Sequence, residues 1–277
     1  RKLLWVNKMN TRQEKINNLL SKESYNFDDL VTIMELLRSE GGCPWDIEQT
    51  HKSIRNNFIE ETYEVIEAID NDDAKLLREE LGDVMLQIVF HARMEEEAGT
   101  FDVNDVANDV CAKLIHRHPH VFGGVVAETS EAVLDNWDKI KVEEKHRDTL
   151  TSQLNAIPKQ LPALMRAQKV GKKVSFFDFA DADEVMAKLY EESNEVKSAV
   201  AAADAAAIEE EVGDLLFTAV SLARKLGVNA EEALGRATDK FIDRFSRLEA
   251  ETEKQGADIR EMSMPELDAI WDRIKHT

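Results

Sequence analysis

The sequence predicts an all-α protein built as two related helical-bundle domains, and three observations carry that prediction. Glycine and proline are sparse, 11 and 5 in 277 residues, and apolar residues recur at intervals of three and four rather than two. The second half of the chain repeats the first at an offset of 131 residues (189 − 58). Four acidic residues then recur in both halves at the same spacing, although the sequence between them has diverged.

In chain order, helices are expected over 28–39, 53–70, 73–98, 103–117 and 133–145, and then over 183–200, 205–226, 230–254 and 265–275. The first stops at Gly41-Gly42-Cys43-Pro44, because glycine and proline punctuate helical periodicity. The second shows Phe58, Thr62, Val65, Ile66 and Ile69 at helical spacing. Gly99 closes the third and Pro119 follows the fourth, with Gly123-Gly124 beyond it. In the second half Gly227 and Gly256 fall in the gaps between helices. The stretch 148–164, with Pro158 and Pro162 and no sustained period, reads as a linker. The expected organisation is therefore an extension over 1–26, a domain over 27–147, the linker, and a domain over 165–277.

The repeat is visible residue by residue. FIEETYEV (Phe58–Val65) lies over LYEESNEV (Leu189–Val196), Glu80-Leu81-Gly82-Asp83 over Glu211-Val212-Gly213-Asp214, and Ala92-Arg93 over Ala223-Arg224. With small length changes, Lys113–Arg117 answers Lys240–Arg244, and Trp137–Lys141 answers Trp271–Lys275. Two copies at this separation are two domains rather than a solenoid.

Composition narrows the function. With 35 Lys and Arg against 55 Asp and Glu, the formal charge is -20, and no basic block exceeds the Lys172-Lys173 pair. Nonspecific binding to nucleic acid or to an anionic membrane surface is therefore not expected. The longest apolar stretches, 84–90 and 215–223, are far short of the roughly 20 residues a membrane helix needs. The opening RKLLWVNKMN is basic without a sustained apolar region after it, so no secretory signal is expected. Cys43 and Cys111 are too few for a disulfide framework. A cytoplasmic protein is the expectation.

The chemistry lies in the acids. Each copy reads E-x-x-E, fifteen intervening residues, then E-x-x-D: Glu61, Glu64, Glu80 and Asp83 in the first, Glu192, Glu195, Glu211 and Asp214 in the second. A spacing of three places each pair on one helix face, and the gap allows an antiparallel return, so four carboxylates face one volume. In so acidic a chain a single E-x-x-E is ordinarily a solvated face. The recurrence of the whole layout argues otherwise. So does the setting of Asp83 in LGDVMLQIVF and Asp214 in VGDLLFTAVSLA, which read as buried elements. Clustered buried carboxylates need a compensating cation. An all-oxygen set without Cys or paired His favours Mg²⁺, with Mn²⁺ as a substitute, over zinc.

A di-iron bundle would want E-x-x-H on two helices. Glu48-x-x-His51 and Glu143-x-x-His146 have the spacing, but neither is set in an apolar helix. His116, His118 and His120 alternate around Pro119, where helix capping or packing is favoured over a zinc site. Carboxylate-held Mg²⁺ leaves positions for water and substrate phosphates, so in-line attack by a metal-activated water is the expected mechanism. Lys113 with Arg117, and Lys240 with Arg244, are i,i+4 pairs placed to meet phosphates or to be ion-paired in solvent. Trp137 and Trp271 stack on a base or pack near a helix end. The alternatives to an enzyme are a non-catalytic helical dimer that binds nucleotide or a partner protein, and the di-iron protein.

These residues, taken together, resemble the all-α nucleoside triphosphate pyrophosphohydrolases, a group that includes MazG and the dimeric dUTPases. Beyond the acids, the resemblance rests on GGCPWD (Gly41–Asp46), EETYEV (Glu60–Val65), RHPHVF (Arg117–Phe122), the W-x-x-I-K segment from Trp137, PALMRAQK (Pro162–Lys169) and EVGDLLF (Glu211–Phe217). It spans Phe27 to Lys275 and is similar to the tandem-domain bacterial form. It implies Mg²⁺-dependent hydrolysis of NTPs and dNTPs to the monophosphate and pyrophosphate, in nucleotide-pool housecleaning or alarmone control. It also implies a homodimer whose subunits complete each other's core and sites. The resemblance makes Glu192, Glu195, Glu211 and Asp214 the C-terminal metal ligands, and Lys188, Glu191, Lys240, Arg244 and Trp271 its nucleotide contacts. Ala207 and Phe179 depart from the Lys and Trp such proteins often carry. The proton acceptor stays open among the tetrad acids, Glu60 and Glu191, with Glu61 and Glu192 as first candidates.

Overall fold

A computed structural model of the chain describes residues 2–124, 129, 133 and 149–276, with side chains from residue 11 onward. The expected helix over 133–145, with Trp137 and the Glu143/His146 pair, lies outside the described residues apart from Val133. No strand occurs among the described residues, and the all-α prediction holds. The chain divides into two compact units, Arg1–Trp137 and Asp138–Thr277.

The first unit contains α1 (Lys2–Leu20), α2 (Phe27–Arg38), α3 (Pro44–Glu48), α4 (Arg55–Asp70), α5 (Ala74–Ala98), α6 (Val103–Arg117) and the short α7 (Pro119–Phe122). A capping box between Asn26 and Asp29 starts α2, and another between Asp102 and Asp105 starts α6. Its core joins Met34 of α2, Ile54 before α4, and Val89, Phe90 and Met94 of α5, with Leu30, Val31, Leu86 and Val103 against them. The turn after α2 explains the two glycines of GGCPWD. Gly41 has φ of 76°, and a Cβ on Gly42 would collide with the carbonyl oxygens of Leu36 and Leu37. Pro44 then opens α3 at its first turn.

The second unit contains α8 (Leu150–Asn155), α9 (Ala163–Lys173), α10 (Ala182–Ala202), α11 (Ala205–Lys225), α12 (Ala230–Lys254) and α13 (Met264–Lys275). Leu248 of α12 meets Ile270 and Ile274 of α13 in a buried cluster, with Ile259, Met262, Leu267 and Trp271 packed on it. Asp178 ties the segment before α10 to α11 through Arg224 at 2.6 Å and Lys225 at 3.1 Å. The stretch read as a linker holds α8, whose Thr149 caps it, and α8 packs on α9.

The dominant packing in each unit is one antiparallel helix pair, α4 with α5 and α10 with α11. The repeat extends to the backbone of the joining turns. Asp73 and Asp204, 131 residues apart, both cap the second helix. Just before them, Asp72 (φ 51°) and Ala203 (φ 53°) share the left-handed conformation.

One sequence expectation is corrected. The apolar runs around Asp83 and Asp214 are not sealed inside one chain: Leu81, Met85 and Ile88 on α5, and Val212, Leu216 and Phe217 on α11, are exposed. Asp83 is half-buried and Asp214 exposed. These helices are apolar on more faces than their own unit covers. Among the described residues, no helix is long and apolar enough to cross a membrane.

Candidate functional site

Each helix pair gathers carboxylates. Glu61 and Glu64, one turn apart on α4, meet Glu80 of α5 so that one oxygen from each lies within 4.8 Å of the others. Glu192 and Glu195 of α10 meet Glu211 of α11 in the same way. The hairpin turns fix this register: with the Asp73 and Asp204 caps in equivalent places, each E-x-x-E faces its returning acid across the pair.

Among the described residues, the charges acting on Glu61 and Glu80 of the first cluster are all repulsive. Burial, then the charges of Asp83 and Glu64, hold the Glu61 carboxyl above its ordinary value. Burial, then Glu64 and Asp83, do the same to Glu80. Asp83 thus acts on both residues, although it lies outside the mutually close three. In the second cluster Glu192 is 4% exposed and meets the Lys188 ammonium at 2.8 Å, while Lys188 also reaches Glu191 at 2.6 Å. Those two carboxylates, Glu191 first, hold the Lys188 ammonium well above the ordinary lysine value. Burial raises Glu195, with Lys188 opposing and Glu192 and Glu211 adding to the rise.

Convergent hard oxygen ligands in excess of any nearby cation suit a divalent ion such as Mg²⁺ or Mn²⁺. The first cluster fits best by this criterion. Its equivalent of Lys188 is Asn57 (188 − 131), which brings no charge. The 131-residue offset between the halves carries that difference in the sequence, one residue before the repeated FIEETYEV and LYEESNEV segments.

Lys240 is exposed and Arg244 half-buried on α12, and neither forms an ion pair among the described residues. Lys113 is exposed on α6, with Arg117 at the end of the same helix. Trp271 is half-buried against the Leu248 cluster, with its ring 5.3 Å from that of Phe241. Glu60 and Glu191 are exposed beside the clusters. His118 caps α6, its Nδ1 2.6 Å from the Leu114 carbonyl oxygen. His51 faces His91 and Glu95 rather than the acid cluster, so its E-x-x-H spacing does not build a di-iron site there.

Two helix pairs, each converging acids of this kind, define an all-α protein with duplicated carboxylate sites of the type that hold divalent cations. A model of the MazG nucleotide pyrophosphohydrolase domain matches residues 49–122 and again 181–248. The chain is 45% identical over 253 residues to the nucleoside triphosphate pyrophosphohydrolase of Escherichia coli K12, covering 90% of this chain and 96% of that one. It is 43% identical over 251 residues to the nucleoside triphosphate pyrophosphohydrolase/pyrophosphatase MazG of Thermotoga maritima, covering 90% and 95%. The mycobacterial counterpart from Mycobacterium tuberculosis is 41% identical over 144 residues, 51% of this chain and 42% of that one. The chain belongs to the MazG nucleotide pyrophosphohydrolase family.

Proposed function

We propose that this chain hydrolyses nucleoside triphosphates to the monophosphate and pyrophosphate with the help of Mg²⁺, or Mn²⁺ in its place. The observation that carries the reading is the duplicated convergence of three carboxylates on an antiparallel helix pair. The names borne by the Escherichia coli and Thermotoga relatives support it. Glu61, Glu64 and Glu80 with Asp83, and Glu192, Glu195 and Glu211 with Asp214, are the proposed metal ligands. When bound, the ion supplies charge stabilisation for phosphate oxygens and lowers the pKa of water.

The remaining chemistry belongs to side chains. Lys188, Lys240 and Arg244 offer positive charge to phosphate oxygens, Glu191 holds Lys188 in place, and the half-buried Trp271 ring offers a surface for a base. Lys113, Arg117 and Trp137 take the corresponding roles in the first repeat. Glu61, whose carboxyl is held above its ordinary value by burial and by the charge of Asp83, is the proposed proton acceptor of the first site. Glu192 is the residue in the same place in the second repeat. A second copy of the chain covers the exposed apolar faces of the helix pairs, giving a homodimer. The two repeats act as domains over 27–147 and 165–277, and nucleotide-pool housecleaning or alarmone control in the cytoplasm is the proposed role.

Incubation with each common NTP and dNTP plus Mg²⁺, followed by chromatography, tests the reaction class. Monophosphate and pyrophosphate, lost on adding chelator, are expected. Diphosphate and orthophosphate would contradict the proposed bond cleavage. Nucleotide binding without turnover would select a non-catalytic dimer.

A further inference from the structure

Away from the acids of the first unit, two imidazoles meet end to end. His51 lies in the segment between α3 and α4, and His91 lies on α5. Their Nδ1 atoms are 2.7 Å apart, the ring planes differ by 5°, and the centroids are 5.0 Å apart. That separation equals the N···N distance plus the reach from centroid to nitrogen in each ring. The rings are therefore in one plane, joined edge to edge along a straight Nδ1···Nδ1 line. Such a line holds a single hydrogen, donated by one ring and accepted by the other. It leaves no space for a metal ion, because two metal–nitrogen bonds of about 2 Å each would hold the nitrogens farther apart than this.

The far side of His51 is committed as well. Its Nε2 donates to Glu95 Oε1 at 2.8 Å, and the Thr100 hydroxyl donates to the other oxygen of the same carboxylate. Phe58, from α4, packs against the His91 ring at an interplanar angle of 64°, with the centroids 5.9 Å apart. The charged group α2 brings to this region is Arg38, whose guanidinium is engaged by Glu97 and by the carbonyl oxygens of Asp46 and Gln49. On α5, Arg93 is held by Glu96 and Glu97. Glu48 and Lys52 flank His51 in its own segment. Glu95 is thus the one charge bonded directly to the pair among the described residues, and it touches His51 alone.

We propose that the His51–His91 pair is an acid-sensitive latch, which holds segment 49–54 against α5 through one shared Nδ1 proton and releases it when both rings are protonated, so that each Nδ1 carries its own hydrogen. Two protonated rings would point N–H against N–H at 2.7 Å and carry like charges. The contact cannot survive that change. Burial, and then the neighbouring His51, already hold the His91 imidazole below its ordinary value of 6.5, so protonation favours the opened state. The released segment has defined ends. Arg38 grips the carbonyl of Gln49, and Ile54 is buried in the core. Between them, Thr50 and Ser53 hydrogen-bond each other's backbone N–H, which keeps the turn intact as it moves. The second repeat has Leu222 in place of His91 and Leu226 in place of Glu95, so the latch belongs to the first unit alone.

The test uses the full chain, selectively ¹⁵N-labelled at its 7 histidines, over a pH series. Long-range ¹H–¹⁵N spectra read the protonation of each ring nitrogen, and hydrogen exchange reads the amides of 49–54. The expected result is one Nδ1-bound proton for the pair near neutral pH. On acidification, uptake of the second proton coincides with loss of amide protection. The opening equilibrium then grows about tenfold for each pH unit below the open-state protonation, until the closed state itself takes up the second proton. Independent titration of the two rings, or protection that stays constant after correction for intrinsic exchange, would overturn the proposal. His91→Gln retains a partner for His51 but does not titrate, so the acid opening should vanish. Persistence of that opening in a folded His91→Gln variant would equally overturn it.

Discussion

At the residue scale, the two clusters show how a neighbour sets the character of a repeated site. Glu80 and Glu211 are equivalent in sequence, yet among the described residues it is the second cluster whose acids meet a lysine ammonium directly. In the first, the raised carboxyls of Glu61 and Glu80 mean that the folded state binds protons more tightly than the unfolded chain. Between the ordinary glutamate value of 4.5 and the raised folded values, the stability of the metal-free protein therefore falls as pH rises. Glu80→Gln removes one of the repelling charges. In chelator at pH 7, its melting temperature should exceed that of the wild type. It should also lose the first-site share of metal stabilisation, which for a single site reaches about 2.7 kcal/mol at a free ion concentration one hundred times Kd. Thermal melts of both proteins with and without Mg²⁺ check this, and a variant less stable than wild type in chelator would show that Glu80 is not under repulsion. The acids themselves were legible because their spacing recurs. The exposure of Asp214 was not, because helical periodicity does not say which apolar faces one chain covers.

At the scale of elements, the helix pair is the repeated unit and its turn sets the register. Both turns place a residue in the left-handed region, aspartate in the first and alanine in the second. Aspartate tolerates this conformation through local hydrogen bonding, whereas alanine has no such compensation. Ala203→Gly should therefore stabilise the protein by roughly 1 kcal/mol, read by denaturant titration. Destabilisation would mean that the alanine methyl is needed at the turn. The long helices were legible to within one or two residues, since their apolar spacing, aspartate caps and terminal glycines all agree. The segments not anticipated are α1, the short α3, α7 and α8, and α9. Alpha-9 carries Lys172 and Lys173 in its last turn and Gly171 one residue before them, a position that lowers helix propensity but is buried beside Arg224. Helix α1 is weakly patterned, and it meets α2 through Lys15 and Glu35 at 2.6 Å, a contact no local pattern announces.

At the scale of the whole molecule, the exposed apolar residues of α4, α5, α10 and α11 are more than a monomer leaves uncovered without reason. Leu216 is 53% exposed, and Ile66, Leu81 and Phe217 share its condition. Sedimentation should give twice the 31.4 kDa chain mass, and Leu216→Glu should shift that mass toward the single chain. A wild type that sediments as a single chain at micromolar concentration would remove the homodimer. The duplication itself was legible at this scale, whereas the coverage of its faces depends on a second surface that the sequence does not describe.

The most direct measurement is pyrophosphate release from nucleoside triphosphates by the wild type and by Glu80→Gln/Glu211→Gln, with circular dichroism to establish that both are folded. Each substitution removes one of the three converging carboxylates from a cluster. Even loss of an outer-shell partner costs a metal site ~10–100-fold in affinity or activity. Mg²⁺-dependent release by the wild type and a fall of at least that size in the folded double variant are the expected results. Undiminished pyrophosphate release by the double variant would contradict the assignment of the two carboxylate clusters as the sites of hydrolysis.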